Sequence, residues 1–267
     1  MNNYAYITLL STEDYLPAVL ILNENLKNVN SQYPLVVGVT ENIADKVQPY
    51  LQKENIAYRI IPFMQYSPAT QEKWMKNVGS EYTLNIASKF ALFKLYEFDK
   101  LVFIDSDILI YKNIDNLFDY PDGAIYDNNG QPFIGLFVFI PENHPVDYYL
   151  ALSYVFSKIE SDVLEPLFFP FKSNPDYRIP FEYYVNITRE LDYFNFNDIK
   201  VFHFCYSYKP WRYLTVNNFI ADYAKEFPMD ISYTRVKIVK DYIDNYLTPL
   251  FKKYPEFKQY CRNINNI

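Results

Sequence analysis

The sequence predicts an α/β fold, one mainly parallel sheet flanked by helices. Two observations carry that reading. Strand-like and helix-like patterns alternate over the first 110 residues, and 50% of the chain is hydrophobic although its longest apolar runs, such as Phe133–Ile140, are short. Such alternation signals βαβ units, and ligands of the resulting sheets sit at the carboxyl ends of the strands. Runs this short fall far below the roughly 18 residues of a membrane span, so a soluble protein is expected.

The elements follow in order. Tyr4–Leu10 reads as a first strand. Pro17–Leu26 reads as a helix, with Thr12, Glu13 and Asp14 supplying a cap and first-turn acids. Pro34–Thr40 and Tyr58–Pro62 are a second and a third strand. Asn85–Phe98 has helical spacing through Ile86, Phe90, Phe93 and Leu95, and Leu101–Ile110, LVFIDSDILI, is read as a fourth strand. Further strands are expected at Phe133–Ile140 and Lys200–Phe204, and a helix at Pro145–Ile159. Near the end, Ile238, Tyr242, Tyr246 and Leu250 beside Val239, Ile243, Leu247 and Phe251 form the apolar stripe of a packing helix over about 235–252. No repeat, low-complexity linker or composition break marks a second domain, so a single domain over 1–267 is expected, with parts over about 1–110 and about 111–230 ahead of the packing helix.

Composition excludes several classes. A net charge of −7 argues against a nucleic-acid partner, which needs a basic patch. Five glycines leave no Gly-rich dinucleotide loop and no P-loop. Cys205 and Cys261, the two cysteines, make neither a disulfide framework nor a zinc cluster and suit a reducing compartment. The start, MNNYAYITLL, has no secretory-signal pattern, and a cytoplasmic location is the expectation. The 28 Tyr and 22 Phe read as compositional bias rather than as stacking platforms.

Asp105 and Asp107 stand inside the fourth apolar run. Burying unpaired carboxylates is costly, so they need hydrogen bonds, a cation or a wet strand end. In an extended backbone residues i and i+2 project to one face while Ser106 points away. Two like charges so placed suit a hard divalent cation, magnesium or manganese. The plainer reading is a strand-end turn cap with a solvated neighbour, and Asp-x-Asp by itself does not decide between them.

Taken with the rest of the chain, the sequence resembles the family 8 retaining glycosyltransferases, and within them the glycogenin-like proteins, from about Tyr4 to Leu250. The resemblance implies a single-domain GT-A-type, Rossmann-like fold. It implies transfer of a sugar from a UDP-sugar to a hydroxyl acceptor (a sugar, a protein or the chain itself), dependent on manganese or magnesium. Tyr6–Tyr15 matches the first strand and nucleotide loop, with Leu9, Ser11, Thr12 and Tyr15 at positions that hold uridine. Lys89 falls where the family has a donor-phosphate lysine, and Asp105 and Asp107, with Ser106 between them, match its metal pair. His203-Phe-Cys-Tyr-Ser-Tyr-Lys-Pro-Trp211 matches a motif whose histidine is the third metal ligand and whose lysine, Lys209, reaches the diphosphate. Tyr246–Leu250 resembles the closing helix, and relatives imply a homodimer. His144 lacks such company and reads as a surface-loop residue.

The pattern departs from the family around the sugar. Phe133 stands where the family has Asn, Asp162-Val163 where it has Asp-Gln, and Tyr206 where it has Gly. The resemblance then leaves Asp162 to stabilise the oxocarbenium-like state, Asp127 or Asn128 to contact sugar hydroxyls, and Tyr193 as a self-glycosylation position. A non-catalytic nucleotide-sugar-binding protein is the alternative, and a metal-dependent phosphohydrolase a third reading that gives Lys-Pro-Trp no role.

Overall fold

Leu35–Thr40, LVVGVT, has every residue buried, the mark of a strand inside a sheet covered on both faces. The computed structural model describes residues 2–64, 87–126, 132–144, 178–179, 185–186, 196–204, 208–227 and 232–262. They fall into two compact units, Met1–Glu13 with Ser31–Ser106 and Ile114–Phe181, and Asp14–Asn30 with Asp107–Asn113 and Glu182–Ile267.

The first unit holds a seven-stranded sheet. Its strands are β1 (Tyr4–Leu10), β2 (Leu35–Thr40), β3 (Ala57–Ile61), β4 (Lys100–Ile104), β6 (Gly123–Tyr126), β7 (Pro132–Phe139) and β8 (Arg178–Ile179), in the order β3-β2-β1-β4-β7-β6-β8. Pairings β1–β2, β2–β3, β1–β4 and β6–β8 are parallel, whereas β7 runs antiparallel to both β4 and β6. The sheet is therefore mainly parallel, as expected. From β1 the chain builds outward to β2 and, by way of α2 (Ala44–Lys53), to β3, then returns to lay β4 on the other side of β1. That reversal is the kind of switch point where α/β sheets bind ligands, beyond the strands' carboxyl ends. Leu9 and Asp105 stand at those ends.

One face of this sheet is closed by residues 87–98. Phe90, Leu92, Phe93 and Leu95 pack with Ala5, Ile7, Leu101, Phe103, Phe137 and Phe139 in one buried cluster, the alternate residues of β1, β4 and β7 that share a face. Phe93 meets Phe139 edge-on at 4.8 Å, and Phe103 stacks on Phe137 at 4.8 Å. The expected helix over 85–98 is much shorter here. Residues 85 and 86 lie outside the described residues, and only α3 (Lys89–Leu92) is helical before the chain turns. Apolar residues spaced like a helix are buried instead on successive turns, because the chain must reverse into β4 within a few residues. Gly38 of β2 admits this packing: a Cβ there would lie 2.4 Å from Leu92 Cδ2.

The run 101–110 is not one strand. β4 ends at Ile104, residues 105–107 form a turn, and β5 (Ile108–Ile110) belongs to the second unit, in a three-stranded sheet of order β5-β10-β9 with β9 (Val185–Asn186) and β10 (Val201–His203). The extended-strand argument for a common face of Asp105 and Asp107 fails with it. Carboxylates are poor strand residues, and the extended run turns where they stand.

In the second unit, α1 (Leu16–Asn28) places Asn25 so that its Oδ1 accepts from Ile110 N at 3.0 Å, fixing the edge of β5. The expected side-chain cap is absent: Tyr15 occupies the cap position after a short turn, with Pro17 in the first turn. The C-terminal stripe spans α5 (Tyr233–Tyr242), a π-helical turn (Ile243–Leu247) and α6 (Thr248–Lys253), after α4 (Val216–Glu226). Pro249 carries no N–H and its ring crowds the preceding turn, which accounts for the widened turn before it. Ile238, Val239, Tyr242, Ile243, Leu247 and Phe251 are buried; Tyr246, inside the π-helical turn, and Leu250, past it, are half-buried. Among the described residues no helix is long and apolar enough to cross a membrane. The expected helix at 145–159 lies outside the described residues.

Candidate functional site

Register brings the second unit's polar cluster together. β10 runs antiparallel to β5 with His203 opposite Ile108, and one step further Phe204 N donates to Asp107 O at 2.9 Å. His203 and Asp107 are therefore neighbours although 96 positions apart, and His203 Nε2 lies 2.9 Å from Asp107 Oδ1. Lys209 completes the cluster. Its Nζ donates to the other carboxylate oxygen of Asp107 and, at 2.6 Å, to Phe204 O. All three are buried: Asp107 6% exposed, His203 8% and Lys209 1%.

Burial alone would raise the carboxyl of Asp107. The charges of His203 and Lys209 and their hydrogen bonds outweigh it and hold the group well below the usual carboxylate range. Tyr242, packed edge-on to Phe204 at 5.2 Å, is pushed the other way: desolvation, with Asp107's charge added, keeps its hydroxyl protonated.

The first unit holds the companion pair. Lys89, first residue of α3 and 4% exposed, donates from Nζ to Asp105 Oδ1 at 2.8 Å while lying 4.5 Å from the centroid of the Phe103 ring. Asp105 is tied to β7 by its own N–H, which donates to Gly135 O at 2.8 Å. Asp105 and Asp107 are joined through buried Ser106, so covalent geometry alone keeps their Cα atoms within about 7 Å. Leu9, Ser11 and Thr12 follow at the end of β1, all half-buried.

Tyr15, at the start of α1 in the second unit, meets Trp211 edge-on at 5.0 Å. Asp127, Asp162, Val163, Tyr193 and Tyr206 lie outside the described residues, as does the side chain of Phe133. His144 is a correction. It is 3% exposed, with Nε2 3.0 Å from Asp122 Oδ1 and its ring against Phe93 at 4.9 Å. The Pro141–Asn143 turn folds it inward, a local reversal that the flanking polar residues hid.

Comparison with known proteins gives this arrangement a context. A family model described as Glycosyl transferase family 8 matches residues 6–133. Galactinol synthase 3 of Arabidopsis thaliana is 38% identical over 124 residues, 46% of this chain and 35% of the relative. Galactinol synthase 1 of Solanum lycopersicum is 27% identical over 244 residues, 79% of this chain and 75% of the relative. The matched segment thus spans about a third of the length of the first of these. Among solved structures, the glycosyltransferase GlyE of Streptococcus pneumoniae superposes with a TM-score of 0.56 at 14% identity, over 94% of this chain and 64% of that one. The galactosyltransferase LgtC, solved with donor and acceptor sugar analogs, gives 0.51 at 14% identity, over 85% and 96%. These likenesses show a GT-A fold. The stretch that matches the family model, residues 6–133, runs from the first strand through the Asp105–Asp107 pair.

Proposed function

We propose that the chain is a retaining glycosyltransferase that moves a sugar from a UDP-sugar to a hydroxyl acceptor, with a divalent ion held by Asp105, Asp107 and His203. The observation that carries it is the meeting of His203, Lys209 and Asp107, three residues of two distant motifs, on one buried carboxylate. The donor set fits the ion: two carboxylate oxygens and an imidazole nitrogen suit manganese or magnesium. Such an ion supplies Lewis-acid neutralisation of the departing nucleoside diphosphate.

The chain's own residues do the rest. Leu9, Ser11, Thr12 and Tyr15 receive the uridine, and Ser106 lies between the two carboxylates. Lys89 and Lys209 bring two ammonium groups to the diphosphate, where positive charge in a buried site stabilises the developing negative charge. Asp162 is assigned to the oxocarbenium-like centre and Asp127 or Asn128 to sugar hydroxyls. Retention then follows from the acceptor attacking on the face the diphosphate leaves, so positioning and charge account for most of the rate.

Incubation with UDP-glucose, UDP-galactose or UDP-N-acetylglucosamine, with and without manganese, tests this through free UDP. The names galactinol synthase and galactosyltransferase, carried by relatives and a fold neighbour, put UDP-galactose first in the screen. Metal-dependent UDP release from at least one donor is expected. No turnover and no UDP binding would reject the reading. Phe133, Val163 and Tyr206 favour a second reading, a nucleotide-sugar-binding protein without transfer, in which UDP binds but no donor is cleaved.

A further inference from the structure

The turn that delivers Lys209 is restrained on several sides. Arg212 N donates to Lys209 O at 3.0 Å, closing the Pro210–Arg212 turn, and Arg262 N from the C-terminal segment donates to Arg212 O at 2.8 Å. Cys261 Sγ lies 3.6 Å from Trp211 O. The side chain of Arg212 then points the other way along the chain. Its Nη2 donates to Asp14 Oδ2 at 2.6 Å, a contact 198 positions apart, and its guanidinium carbon lies 5.9 Å from the centroid of the Tyr15 ring. Tyr15 is thus flanked by Trp211 and Arg212, the two residues that close the lysine's turn. The ion pair is partly exposed, 22% at Arg212 and 31% at Asp14, where a salt bridge does little for stability. Its position between the two loops is what distinguishes it.

We infer that Asp14 and Arg212 are positioning residues for the donor, coupling the loop that receives the nucleoside, through Tyr15, to the turn that presents Lys209 to the diphosphate. The inference rests on the proposed UDP-sugar site. It says that the two ends of the donor are recognised as a unit: Arg212 holds the Tyr15 ring and the Lys209 turn in one arrangement, so UDP meets both preorganised, whereas uridine alone uses only the first.

Calorimetric titration with UDP, and separately with uridine, both at fixed manganese, tests it on the full chain. Arg212→Ala and Asp14→Ala are each expected to weaken UDP binding about tenfold and uridine binding less than threefold, with unfolding midpoints little changed. Arg212→Lys, which keeps the charge for Asp14, should recover most of the loss. The double variant Asp14→Ala/Arg212→Ala should bind UDP no worse than either single one, because the pair acts as one device. Equal losses for uridine and UDP, fully multiplicative losses in the double variant, or single variants that bind like wild type overturn the inference while leaving the site standing. A wild-type chain that binds no UDP overturns both.

Discussion

At the scale of single residues, Asp107 carries the largest consequence. It is buried with an ammonium and an imidazole on its two oxygens, and removing one partner of a buried ionic cluster typically costs about 3–5 kcal/mol because the remaining charge is left uncompensated. Asp107→Ala is therefore expected to lose stability of that order in urea unfolding. Below its own midpoint it should also show no manganese-dependent UDP binding; unchanged affinity at matched manganese would remove Asp107 from the site. The carboxyl also sets a pH dependence. Its folded-state value lies below the ordinary 3.8, so the unfolded chain takes up the proton first as pH falls. The stabilisation is complete above that ordinary value and is lost on acidification below it. In chelator, the midpoint of the wild type should fall more steeply below about pH 4 than that of Asp107→Asn, and parallel profiles would contradict the pairing.

Residue-level legibility was uneven for the same physical reason. Asp105, Asp107, His203 and Lys209 sit in two short motifs, Asp-x-Asp and His followed by Lys-Pro-Trp, whose spacing can be read from a single sequence. Asp14–Arg212 and Asp122–His144 are pairings set by tertiary structure alone. No local pattern marks them, and His144 between polar neighbours looked like a surface residue.

At the scale of elements, β1, β2, β3 and β7 lie within a residue or two of where the apolar runs put them, because each is apolar on the faces it buries. The segment 87–98 and the run 101–110 departed from expectation because periodicity reports burial rather than backbone continuity: buried turns imitate a helix, and two short strands imitate one long one. Gly38 tests the packing behind this. A methyl added there meets Leu92, itself fully buried, and overpacking of this kind costs about 1–3 kcal/mol. Gly38→Ala is expected to lower the urea midpoint with an unchanged slope. A variant as stable as wild type would show that the Leu92 end can swing aside at no cost.

At the scale of the whole molecule, connectivity matters more than any single contact. Each unit is assembled from three separate chain segments, so neither is a stretch that could be cut out. The family match ends at residue 133, yet two of the residues assigned to the site, His203 and Lys209, lie beyond it. A fragment ending at Phe181 keeps every strand of the seven-stranded sheet. It deprives β5, all three of whose residues are buried, of its partner β10, and it strips Asp107 of both its imidazole and its ammonium group. Unpaired strand edges and an uncompensated buried carboxylate both oppose folding. Such a fragment is expected to unfold without a cooperative transition by circular dichroism and to bind no UDP at any manganese concentration. Cooperative unfolding with UDP affinity retained would mean that the matched region is self-sufficient, and that the C-terminal motif has no part in holding the donor.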